Sequence, residues 1–204
     1  MSSPLYSKLL SISQKHATPA SLEQLFSIRA PHAIHAWGHN YLLSRNPKLA
    51  NRMDNDSFMS HVLISSKYLD TESLKIHDII IDTESRKSAV HMSYFLVPKG
   101  STETIENDLI WMLKFTDDDE VDKVLIEESV EFIDATASAR MGTVSRQMHN
   151  GELDERVRGG LALQQGIEQG GLCYQPSYSA RHHITVPDLA GMFIKSLTTN
   201  YILV

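Results

Sequence analysis

An α+β fold, with helices packed on one side of a curved antiparallel sheet, is what the order of patterns along this chain predicts. Apolar residues recur at helical spacing through most of the first seventy positions, the period then drops to two between residues 74 and 134, and glycines crowd the stretch that follows.

Leu5, Leu9 and Ile12 place a helix over Pro4 to Gln14, which Ser2 or Ser3 can cap. Thr18 as N-cap and Pro19 in the first helical position open a second short helix, striped by Leu22, Leu25, Phe26 and Ile28 as far as Pro31. Between residues 31 and 53, Pro31, Gly38, Asn40, Asn46, Pro47 and Asn51 break any long regular run and predict an irregular connection with about one helical turn. Asn55 or Asp56 then caps a helix through Phe58, His61, Val62, Ser65 and Leu69. Residues 74–82 and 88–97, rich in Val, Ile, Tyr and Phe, read as antiparallel strands around the polar turn from Asp82 to Lys87. From 106 to 115 the alternation is clean, and a fourth strand over 123–134 returns across the acidic turn Thr116 to Asp122. Past Asp134, Gly142, Gly151, Gly159, Gly160, Gly166, Gly170 and Gly171 among charged and glutamine residues predict loops and short helices. Pro187 to Leu203 regains apolar content as a docking helix ending in a strand-like Tyr201 to Val204. The chain thus divides into one domain over 1–139 and a C-terminal extension over 140–204, part loop and part helix.

Composition narrows the partners. Lys+Arg 19 against Asp+Glu 25 gives a net charge of -6, so no basic surplus is available to neutralise a phosphate backbone or hold an anionic membrane. Nucleic acid and membrane are both excluded as expected partners. One cysteine, Cys173, rules out an internal disulfide framework and any multi-cysteine zinc site, and fits a reducing compartment; a cytoplasmic protein is expected.

Four segments carry a family resemblance by their order and spacing. They are Arg29-Ala30-Pro31 followed by His35, Met53-Asp54-Asn55-Asp56-Ser57-Phe58, Asn107-Asp108-Leu109-Ile110-Trp111-Met112-Leu113-Lys114-Phe115, and Glu131-Phe132-Ile133-Asp134. Over about residues 20 to 137 the chain resembles the nuclear transport factor 2-like superfamily, specifically SnoaL-like proteins of fungal natural-product gene clusters. The resemblance implies a cone in which the curved sheet wraps against helices around a deep apolar pocket. It also implies cofactor-free isomerases, cyclases, dehydratases or pericyclases that move protons on a small apolar polycyclic polyketide or terpenoid, and pairing into a homodimer. A ligand-binding or dimerising module on the same cone and a scytalone-dehydratase-like lyase are the alternatives. The segment Ala36-Trp37-Gly38-His39 departs from the family pattern.

Candidate site residues follow from strand alternation joined to this resemblance. In the second predicted strand, 88–97, Ala89, His91, Ser93, Phe95 and Val97 share one face and Val90, Met92, Tyr94 and Leu96 the other. His91 is either a core histidine bonded to a backbone carbonyl or a burial-tuned base. Asp134 and Glu131, three apart, point to opposite faces; the resemblance favours Asp134 at the pocket rim, with turn capping as its other reading. The expected acid/base pair is His91 and Asp134, with His35, Trp37, Tyr94, Trp111, Phe95 and Met112 as substrate contacts. Lys114 shares a face with Asp108 and Met112 and is expected in solvent. His32, His35 and His39 would align only on a helix that Pro31 and Gly38 disfavour, so no metal site is expected there; the segment either covers the pocket mouth or is a surface loop. No cofactor motif is present: the tail glycines lack phosphate-loop spacing and the acidic run 117–120 lacks that of a calcium hand.

Overall fold

The computed structural model describes residues 2–163. The docking helix and strand expected over 187–204, Cys173 and the pair His182-His183 lie outside the described residues.

Helix α1 (Pro4–Ala17) begins where expected, its first turn capped by Ser3, whose Oγ accepts from Tyr6 N at 3.1 Å. Thr18 closes this helix by donating to Gln14 O, and does not open the next one. The cap of α2 (Leu22–Ser27) is Ser21: its Oγ accepts from Gln24 N while the Gln24 side chain accepts from Ala20 N, a reciprocal box that Thr18 is too far back to make.

The chief departure from the predicted elements is β1 (Arg29–Trp37), a nine-residue strand where breakers predicted a connection. Strand order β1-β5-β4-β3-β2 puts β1 at an edge, where Pro31 deprives no neighbour of a hydrogen bond, and the register of β1 is interrupted between Arg29 and Ile34. The remaining breakers do their work later, around the short helices α3 (Asn40–Arg45) and α4 (Pro47–Ala50). Asp54 caps α5 (Asn55–Ser65) through Ser57 N, displacing Asn55 and Asp56 from that role. Asn55 is used instead to hold β1, accepting from Arg29 Nε and donating to Ala30 O.

Strands β2 (Leu69–Asp82), β3 (Lys87–Pro98), β4 (Ile105–Phe115) and β5 (Ile126–Ile133) form the expected antiparallel meander, and β1 joins it parallel to β5. One face of this curved, open sheet is apolar: Val90, Met92, Leu109, Trp111, Leu113 and Phe115 are buried against Leu9 and Ile12 of α1.

Residues after Asp134 build α6 (Ala135–Met148), a 14-residue helix where loops and short helices were expected. Gly142 misleads there because it serves packing, not a turn. A Cβ on it would stand 2.4 Å from Leu163 O and 2.8 Å from Leu161 O, so the glycine lets the returning chain cross the helix at close range. Met141 and Val144 of α6 are buried with Ile64, Ile105, Val157 and Leu161. The expected boundary at 139/140 thus falls inside α6. Among the described residues no helix is long and apolar enough to cross a membrane.

Candidate active site

Between the apolar face of the sheet, helices α1, α5 and α6, and the strap 157–163 lies a cavity of about 230 Å³. Its walls are mostly hydrophobic, but a few polar side chains converge on it, among them His16, His61, Tyr94, Asn107 and Glu131.

Glu131 is the central one. It stands in β5 directly between two tryptophans, paired with Trp37 of β1 on one side and Trp111 of β4 on the other. Burial pushes its carboxyl up to about 7, a hydrogen bond from the Trp37 indole pulling the other way. Its Oε2 lies 4.0 Å from His35 Nε2. His35 is wholly buried, stacked on Phe58 with ring centroids 4.2 Å apart, and its Nδ1 lies 3.2 Å from Ser129 Oγ. Arg29 Nη1 donates to the same Ser129 Oγ at 2.9 Å.

Electrostatics keep the surrounding rings neutral. Burial, then the charges of His61, Arg29 and His16, hold His35 well below the ordinary histidine value. Burial lowers His16 to about 3 and His61 to about 4, helped by Arg29 and Arg158 respectively. Tyr94 is raised, first by burial and then by Glu131, so it remains a phenol. At or just behind the cavity wall His16 Nδ1 and Nε2, His35 Nε2, His61 Nδ1, Asn107 Oδ1, Trp111 Nε1 and Ser138 Oγ have no hydrogen-bond partner among the described residues. Unpaired buried polar atoms are rare, and so many in one place mark a cavity built to receive polar atoms of a ligand or water.

Of the expected contacts, Trp37, Tyr94 and Trp111 line this cavity, whereas His35 does not: it is buried behind the lining, stacked on Phe58. The other expected residues do not join them. On β3 the inward positions are Val90, Met92 and Tyr94, so the period of two turns His91 and Phe95 outward. His91 Nε2 instead meets Asp108 Oδ1 at 2.8 Å on the outer face, where Met112 is 39% exposed. Asp134 is spent as the N-cap of α6, accepting from Thr136 N at 2.7 Å and Ala137 N at 3.1 Å. The pair His91 and Asp134 is thus not assembled at the cavity. Asp134→Ala is expected to cost about 1 kcal/mol in urea unfolding, the ordinary value of such a cap, with cavity chemistry unchanged. Lys114 lies in solvent with Glu127, as expected. His32 and His39 are exposed while His35 is buried, so the three do not meet.

Glu131 was within reach of the sequence. Ile133 pairs with Leu109, and a strand whose Ile133 faces inward must also present Glu131 inward. Asn107 lies on the clean buried face of β4 by the same rule, and His61 follows Phe58 by three on α5. Only the strap residue Arg158 had no periodic signal.

No protein-family model and no curated protein matches the sequence. Solved structures do match it. PrhC from Penicillium brasilianum superposes with a TM-score of 0.58 at 17% identity, over 72% of this chain and 95% of its own. The BvnE pinacolase from Penicillium brevicompactum gives 0.55 at 14% identity, over 72% of this chain and 99% of its own. Likeness at such low identity is a likeness of fold, and the fold that this chain has is the nuclear transport factor 2-like cone.

Proposed function

We propose that the chain is a cofactor-independent isomerase or cyclase, of the class that includes dehydratases and pericyclases. It acts on a small apolar polycyclic polyketide or terpenoid in fungal secondary metabolism. One observation carries this: a carboxyl group in an apolar cavity, held at about 7 by burial, is divided between acid and base at neutral pH. Glu131 takes a proton from carbon beside a substrate carbonyl. The electron pair of that bond moves to the carbonyl oxygen, where Trp111 Nε1–H stabilises it, and Glu131 returns the proton to a second carbon. The Trp37 indole, which hydrogen-bonds the carboxyl group, positions it.

That one of the fold neighbours is a pinacolase supports a catalytic role over a carrier, and a carrier has no need of a titratable group in its cavity. A scytalone-dehydratase-like site needs two histidines and Asp134 at one point, whereas Asp134 is bound into the α6 cap. The test is exchange with solvent: a polycyclic ketone incubated with the protein in D2O gains deuterium next to its carbonyl, read by mass spectrometry. Exchange no faster than in buffer removes the proposal. The active form is taken to be the homodimer expected by analogy, which sedimentation velocity checks.

A further inference from the structure

On the opposite, outer face of the sheet, we infer that His77, His91 and Asp108 form a binding site for a divalent transition-metal ion, Zn²⁺ being the commonest ion such ligands take. One ligand atom from each residue lies within 4.8 Å of the others, on the three adjacent strands β2, β3 and β4. Two imidazoles and a carboxylate, with water as a fourth ligand, make a tetrahedral donor set for zinc.

The backbone is shaped to bring these groups together. Along β2 the inward residues are Leu74 and Ile76, then Ile79 and Ile81, a spacing of three where the pleat demands two. A bulge absorbs the extra residue: Ile76 pairs with Met92 and Asp78 with His91, leaving His77 without a partner of its own. The inner apolar rows stay in phase on both sides, and His77 is set beside His91 with ring centroids 4.6 Å apart. Asp108, two residues away from the position opposite His91, supplies the carboxylate.

The supporting hydrogen bonds are of the kind that metal-bound histidines use. Ser93 Oγ donates to Glu106 Oε1 at 2.8 Å, so it must accept from His77 Nε2, also at 2.8 Å. The proton of His77 is thereby fixed on Nε2, and Nδ1 is left with its lone pair for a metal. His91 Nε2 and Asp108 Oδ1 stand 2.8 Å apart, close enough for one ion to take both as ligands.

Isothermal titration of the full chain with Zn²⁺, and of the same chain with Co²⁺ read by visible absorption, tests the site. One equivalent is expected to bind, with the strong absorption of four-coordinate cobalt. His77→Gln, His91→Asn and Asp108→Asn should each weaken binding at least about tenfold, with thermal melting of each variant confirming that it is folded. Glu131→Gln, on the other face, should bind as the parent does. Equal affinity in the parent and all three variants, binding lost on His182→Ala/His183→Ala alone, or no binding at millimolar Zn²⁺ overturns the assignment.

Discussion

Glu131→Gln is expected to lower the rate of α-proton exchange by about 10²–10⁴-fold, the range that a positioned general base supplies. Glutamine keeps the shape and the contact with the Trp37 indole but cannot take a proton. The affinity for the ketone, measured by quenching of Trp37 and Trp111, should change little, which separates a catalytic role from a collapsed cavity. In the parent the exchange rate should rise with pH and level off above about 7, where the carboxylate form dominates. A variant that retains more than a tenth of the parent's rate, or a flat profile from pH 5 to 9, removes Glu131 from the chemistry.

The same substitution should stabilise the fold at alkaline pH. A carboxyl raised from 4.5 to about 7 binds a proton more tightly folded than unfolded. Its contribution is therefore fully present below 4.5 and lost as pH rises through 7. Above that point the buried carboxylate costs up to about 3 kcal/mol, which Glu131→Gln relieves. A group that weakens the fold at working pH and yet occupies the cavity centre is what a functional residue looks like in stability terms.

How much of this is written in the chain depends on which physical rule sets each element. Strands β3, β4 and β5 and helices α1 and α5 are governed by apolar periodicity, and periodicity shows them. Strand β1 is governed by its place at the sheet edge, a long-range fact that overrides the local signal of Pro31. Helix α6 was hidden because Gly142 and Gly160 permit close packing against Leu163 and Ser138, and sequence cannot tell a packing glycine from a turn glycine. At the site, Trp111 follows from the alternation of β4, whereas Trp37 lies in a segment whose breakers read as an irregular connection. Asp134 sits at the junction where a carboxylate is also the best helix cap, and the structure uses it as the cap of α6, while Glu131 two residues before Ile133 faces the cavity. His91 went outward because the inward phase of β3 is fixed by Val90 and Met92 against α1.

Acid should unfold this protein more steeply than its composition suggests. His16 and His61 are lowered from 6.5 to about 3 and 4, and His35 lies well below 6.5, all chiefly through burial. A histidine depressed in the folded state contributes stability that is fully present above 6.5 and lost as pH falls toward its folded value, because the unfolded chain takes up the proton first. Each such group costs about 1.4 kcal/mol per pH unit, so His16 and His61 together remove about 3 kcal/mol per unit below 6.5, and His35 acts in the same direction. Glu131 opposes one of them between 7 and 4.5, where the folded state gains its proton. The net loss by pH 4.5 from His16, His61 and Glu131 is then about 3 kcal/mol, a large part of the stability of many domains. Tryptophan fluorescence followed during acidification should therefore show cooperative unfolding between about pH 5 and 4, with an uptake of more than one proton. His16→Leu, which keeps the apolar packing against Trp111 while deleting one titrating ring, should move that midpoint to lower pH. A midpoint unmoved by His16→Leu would mean that the ring is not neutral in the folded state, against the burial and the nearby Arg29 that lower it.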